Sequence, residues 1–218
     1  MPKQLLRQLT AEFIGTYILM FFGTGAIIVS SLYPGTIDHL GISIAFGLVV
    51  LCLIYAIGSI SGAHINPAVS IAFYATGTMT LKECTSYIVI QTIAAIVASF
   101  SLLVLFPEAT TLGETLPTGS IFQTLLMEFI LSFFLMFVII NIATAGKEQG
   151  MIAGIAVGFA VLICALVGGP ISGASMNPAR SIGPAIAANN LSHLWIYIIA
   201  PIFAMLCSVG IWKVIKNR

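Results

Sequence analysis

Charge is what this sequence lacks. Only 7% of its residues are Asp, Glu, Lys or Arg, against about 25% in a soluble domain. Hydrophobic residues make up 59%. A chain this poor in charge has too little polar surface to face water on all sides, so lipid must be the solvent for most of its exterior. The formal net charge of +1 excludes the electrostatic footprint of a nucleic-acid partner. Cysteine is sparse too. Cys52, Cys84, Cys164 and Cys207 form no C-x-x-C pair, and three sit within apolar stretches. They read as small buried thiols in helix packing, with no disulfide and no metal expected. A nucleophile–base pairing, a metal-ligand cluster and a phosphate-binding loop are also missing, so neither an enzyme nor a cofactor is expected.

What the sequence does have is long apolar runs. Crossing a bilayer takes about 20 mostly apolar residues as a helix. Six stretches qualify: 11–32, 41–60, 86–106, 121–143, 150–168 and 194–214. The first follows Lys3 and Arg7 in the manner of a signal peptide. It lacks a convincing small-residue cleavage site, so it reads as a retained span. Two shorter apolar pieces, 66–76 and 177–187, are too short to cross. Each follows a Gly/Ser-rich stretch and starts at Asn-Pro. Proline costs no hydrogen bond in the first turn of a helix, so both pieces read as half-length helices entering the membrane from a loop. Irregular backbone at that depth is tolerated only inside protein or beside a water-filled cavity.

The chain also repeats itself. Ser61-Gly62-Ala63-His64-Ile65-Asn66-Pro67-Ala68-Val69-Ser70 aligns with Ser172-Gly173-Ala174-Ser175-Met176-Asn177-Pro178-Ala179-Arg180-Ser181, with seven of ten positions identical at an offset of 111. Glu12-Phe13 in the first span matches Glu128-Phe129 in the fourth. The expected fold is an all-α membrane protein of six transmembrane helices and two re-entrant half-helices. It forms one domain over 1–218 whose halves, about 1–110 and 111–218, are inverted repeats, because each holds an odd number of spans. Charge placement agrees with this topology. Lys3, Arg7, Lys82, Lys147, Lys213, Lys216 and Arg218 all fall on one side, leaving only Arg180 of the eight basic residues elsewhere. Asp38, Glu108 and Glu114 fall on the other. The positive-inside rule places both termini in the cytoplasm, and a bacterial inner membrane is the simplest host.

Half-helices of opposite direction meeting at the midplane bring Asn66 and Asn177 together. Helix N-termini carry roughly half a positive charge each, so the centre of such a path repels cations. The two amides supply N–H donors, and the backbone before each half-helix, Gly62, Ala63 and His64 with Gly173, Ser175 and Met176, supplies carbonyl acceptors. Together they form a route for small hydrogen-bonding solutes.

At these motifs the chain resembles the major intrinsic protein family, the aquaporins and aquaglyceroporins. The stretch Gly169-Pro170-Ile171-Ser172-Gly173-Ala174-Ser175-Met176-Asn177-Pro178-Ala179-Arg180 is most similar to the nodulin-26-like branch. The resemblance covers nearly the whole chain. It implies a right-handed bundle, a homotetramer in the lipid bilayer with one pore per subunit, and passive passage of water and small neutral solutes. It also implies that Glu12 and Glu128 brace the pore loops, and that Arg180, Phe46, Ala165 and Ala174 form an aromatic/arginine filter. Water-selective members have histidine at the position of Ala165, so alanine there implies a wider opening, suited to glycerol or to metalloid hydroxides such as boric or arsenous acid. The second aromatic usual in glycerol-selective members is absent.

Other readings compete. A strictly water-selective pore keeps the same motifs. A secondary transporter shares inverted repeats and broken helices, but should carry a titratable group at its substrate site. An ion channel needs carbonyl or acidic rings for cations, whereas the centre here is positive. His64 reads either as a packed ring or as a pH-sensitive gate. Gly150, Gly154 and Gly158 recur every fourth residue and read as a helix-packing stripe.

Overall fold

A computed structural model describes residues 3–145 and 151–216. Among the described residues, six helices are long and apolar enough to cross a membrane. They are α1 (Lys3–Leu32), α2 (His39–Ser61), α4 (Leu81–Leu105), α5 (Ile121–Ala143), α6 (Ala153–Ser172) and α8 (Leu194–Ile215). The short helices α3 (Pro67–Thr76) and α7 (Pro178–Ala187) sit before α4 and α8. Each half of the chain thus runs long, long, short, long. The predicted spans match to within a few residues, except that α1 starts at Lys3 rather than Ala11 and α4 at Leu81 rather than Ser86. At 1.5 Å per residue a 30-residue helix is about 45 Å long, longer than the roughly 30 Å hydrocarbon layer, so it has the length to carry its Lys3 and Arg7 turns past the apolar slab.

Polarity is arranged inside out. Phe22, Val104 and Phe122 lie exposed on the outer surface, whereas Glu12, Gln91, Glu128 and Arg180 are buried. Several helix starts carry side-chain caps. The Asp38 carboxylate accepts from Gly41 N–H at 2.7 Å, and Thr80 and Glu83 form a capping box at α4. The Lys213 ammonium on α8 donates to the Ala75 carbonyl at 3.0 Å, placing a cation at the negative end of α3. The half-helices cross between halves: α3 packs against α8, and α7 against α4.

The two halves meet along α2 and α6 at a pair of glycines. A Cβ on Gly47 would lie 2.8 Å from the Gly158 carbonyl oxygen, and one on Gly158 would lie 2.8 Å from that of Gly47. The obstacle is backbone on both sides, so neither neighbour can give way. Of the glycine stripe expected from sequence, Gly158 makes this crossing and Gly154 lies against the Tyr55 ring. Gly150 and the charges Lys147 and Arg218 lie outside the described residues. Gly158→Val is expected to destabilise the protein by about 1–3 kcal/mol through overpacking, read as a lower melting midpoint in detergent. An unchanged midpoint would show that the crossing is looser than described. One histidine given no part by its sequence does have one: His39 Nε2 on α2 lies 2.8 Å from the Leu166 carbonyl on α6.

Candidate functional site: a pore between two half-helices

Asn66 and Asn177 each cap a half-helix whose first residue is proline. The Asn66 Oδ1 accepts from Ala68 N–H at 2.9 Å, and the Asn177 Oδ1 accepts from Ala179 N–H at 3.0 Å. Each amide nitrogen then reaches across to the other half. Asn66 Nδ2 donates to the Met176 carbonyl at 2.8 Å, and Asn177 Nδ2 donates to the Ile65 carbonyl at 2.9 Å. An amide NH2 carries two protons, and one on each side ties the two loops together.

The loops leading to these caps are strained in matching places. Ala63 and Ile65 have φ of 49° and 43°, and Ala174 and Met176 have 44° and 52°. Left-handed backbone at non-glycine residues costs roughly 1–3 kcal/mol each, so something must hold it. Two buried carboxylates do. Glu12 accepts from Ser61 Oγ at 2.7 Å, His64 N–H at 2.9 Å and Ile65 N–H at 2.7 Å. Glu128 accepts from Ser172 Oγ at 2.7 Å, Ser175 N–H at 2.9 Å and Met176 N–H at 2.9 Å. With the Ile65 and Met176 N–H groups turned to carboxylate, their carbonyls face the opposite asparagine. Glu12 has one further donor, Gln91 Nε2 at 2.8 Å. No sequence motif pointed to that residue.

A cavity of about 140 Å³ lies inside the bundle, room for several waters at about 10–15 Å³ each. Asn66, Asn177, Phe46, Ala165, Ala174 and Arg180 all line it, as do Gly62, Ala63, His64, Ser175 and Met176. The remaining motif residues do not. Ala68 and Ala179 are fully buried in side-chain packing, and Pro67 and Pro178 start the half-helices. Gly173 ends α6 in the left-handed region at φ 80°. The rest of the wall is aliphatic apart from Phe73, with Leu19, Val50, Val157 and Val161 among it. Such residues are indistinguishable in sequence from lipid-facing ones. His64 is held on three sides, stacked on Phe73 at 4.7 Å, edge-on to Tyr87 at 5.2 Å, and with Nδ1 3.1 Å from Ser70 Oγ.

Arg180 is 3% exposed. Its guanidinium carbon lies 5.1 Å from the centre of the Phe46 ring, within cation–π range, and its Nη1 donates to the Gly113 carbonyl.

A profile described as "Major intrinsic protein" matches residues 2–210. The chain belongs to the major intrinsic protein family. That makes it a channel protein of the membrane rather than an enzyme. Among its relatives in the family, nodulin-26 of Glycine max is 41% identical over 97% of this chain and 78% of its own length. A protein described as a probable aquaporin of the nodulin-26-like type from Nicotiana alata is 44% identical over 98% and 79%. In fold, the chain matches the X-ray structure of the aquaglyceroporin from Plasmodium falciparum with a TM-score of 0.88, over 96% of each chain at 23% identity.

Proposed function

We propose that this major intrinsic protein passes water together with uncharged solutes of glycerol or metalloid-hydroxide size, and holds back ions and protons. The observation that carries this reading is the makeup of the cavity wall: Arg180, with the Phe46 ring 5.1 Å from its guanidinium carbon, shares the lining with two small side chains, Ala165 and Ala174. Small residues leave room for a solute carbon backbone, and Arg180 and the two asparagine amides offer donors to its hydroxyls. The same arginine and the inward N-terminal ends of α3 and α7 raise the potential along the path, which opposes cations. Glu12 and Glu128 serve as braces. Each is fully buried and has loop donors on both oxygens, so neither is free to relay a proton.

The whole chain acts as one channel domain of two inverted halves. Lys3 and Arg7 lie in the first turns of α1, Lys82 in the first turn of α4, and Lys213 and Lys216 at the end of α8; the alternation of six spans puts these ends on one side, which we assign to the cytoplasm of a plasma or inner membrane. The assembly is a homotetramer with a pore in each subunit, consistent with the family resemblance.

In proteoliposomes, an impermeant osmolyte is expected to drive shrinkage much faster than in empty vesicles, while a potassium chloride gradient across a planar bilayer produces no protein-dependent current. A selective current would replace this reading with an ion channel. The Arg180→Val variant is expected to admit protons or cations several-fold faster than the parent, read with an internal pH dye. Unchanged exclusion would place the whole barrier in the half-helix ends.

A further inference from the structure

The filter arginine is not held by its own half-helix. Nη1 of Arg180 donates to the carbonyl of Gly113, a residue of the α4–α5 connection, 67 positions earlier in the chain. Arg180 Nε has no partner among the described residues. The Gly113 carbonyl is therefore the polar tether for this guanidinium among the described residues, with the Phe46 face as its apolar support.

Gly113 is itself fixed in place. Its φ is +75°, and a Cβ there would lie 2.9 Å from the Cβ of Thr24 and 3.3 Å from its Cα. Thr24 is fully buried in α1, with its hydroxyl donating to the Met20 carbonyl at 2.6 Å, so it cannot withdraw. The segment around Gly113 is tied at several points. The Glu114 carboxylate accepts from Leu112 N–H at 2.8 Å. Thr115 Oγ1 lies 2.7 Å from Ser181 Oγ on α7, and Thr118 Oγ1 donates to the Ile171 carbonyl at 2.7 Å. The tether is thus a strap running from α1 to α7 over the arginine.

We propose that Gly113 is a positioning residue for selectivity. It gives the α4–α5 strap the close approach to α1 that aims its carbonyl at Arg180, and so sets the size limit of the pore. Any side chain at 113 meets both a left-handed backbone and Thr24, and the carbonyl must turn. The freed guanidinium then leaves the Phe46 face and the opening widens. This inference rests on the filter reading above.

The test compares erythritol with glycerol permeability in proteoliposomes for the parent, Gly113→Ala, Thr115→Val and, as control, Gly35→Ala. Gly35 also has positive φ, +90°, but has nothing within 4 Å of its Cβ position, so it reports the backbone cost alone. The erythritol-to-glycerol ratio is expected to rise about tenfold in Gly113→Ala, the lower end of the discrimination that one carbon sets in a close-fitting site. It should rise in the same direction in Thr115→Val and stay constant in Gly35→Ala. A ratio in Gly113→Ala equal to that of the parent overturns the proposal. If Gly113→Ala does not reach the membrane, Thr115→Val decides on the same ratio. A parent that passes neither glycerol nor water overturns the channel reading itself, and this inference falls with it.

Discussion

The Ala165→His variant is expected to lose glycerol permeability by roughly tenfold or more while water permeability falls only about two- to threefold, the asymmetry following from how steeply a fitted site rejects one added group. Ala165 lines the same cavity as Phe46 and Arg180. An imidazole built from that position fills the space that a glycerol carbon needs and adds a polar group beside the arginine. Water, being smaller and hydrogen-bonded on all sides, still fits. Parallel stopped-flow traces with an impermeant osmolyte and with glycerol, on the same vesicles, measure both. Equal loss of the two permeabilities would mean that the imidazole blocks the path rather than narrows it, and that Ala165 is not on the selective ring.

Glu128→Ala is expected to cost the folded channel rather than its selectivity. The carboxylate takes the hydroxyl of Ser172 and the N–H groups of Ser175 and Met176, and it is fully buried. Removing it strands two backbone donors, each worth about 1–3 kcal/mol when left unsatisfied in the interior. It also releases the strained φ values of Ala174 and Met176, whose carbonyl and loop face Asn66. The variant should appear in the membrane at a small fraction of the parent's level, or melt well below it in detergent. Glu128→Gln should be milder, since an amide oxygen still accepts from one or two of the three donors. A Glu128→Ala protein with the parent's yield and melting midpoint would show that the loop holds its shape without the carboxylate.

Much of this architecture was open to a reader of the sequence because membrane solvent leaves a coarse signature. Apolar runs of spanning length fixed the six long helices, and Asn-Pro after a Gly/Ser-rich turn marked both half-helices. The repeat of Glu12 at Glu128 pointed to a shared task, and the hydrogen bonds to Ser61 and Ser172 give it content. What stayed hidden was set by chain crossings rather than by local pattern. Nothing near Asn66 in sequence announces that its amide will bond to the carbonyl of Met176, 110 residues away. Gln91 looks like one polar residue in an apolar helix until α4 packs against α1 and brings it to Glu12. Gly113 looks like an ordinary loop glycine until its carbonyl meets Arg180. The left-handed residues were also illegible. The loops look flexible because of Gly62 and Gly173, yet much of the positive φ falls on alanine, isoleucine and methionine, where only outside support can hold it.

The pore's openness to solutes larger than water is the claim on which the rest depends, and an osmotic jump with glycerol tests it most directly. Light scattering from proteoliposomes mixed with excess glycerol should show fast shrinkage as water leaves, followed by fast re-swelling as glycerol enters. Empty vesicles should do both slowly. Fast shrinkage with re-swelling no faster than in empty vesicles would mean a pore closed to everything but water, and would contradict a wide filter around Ala165 and Ala174.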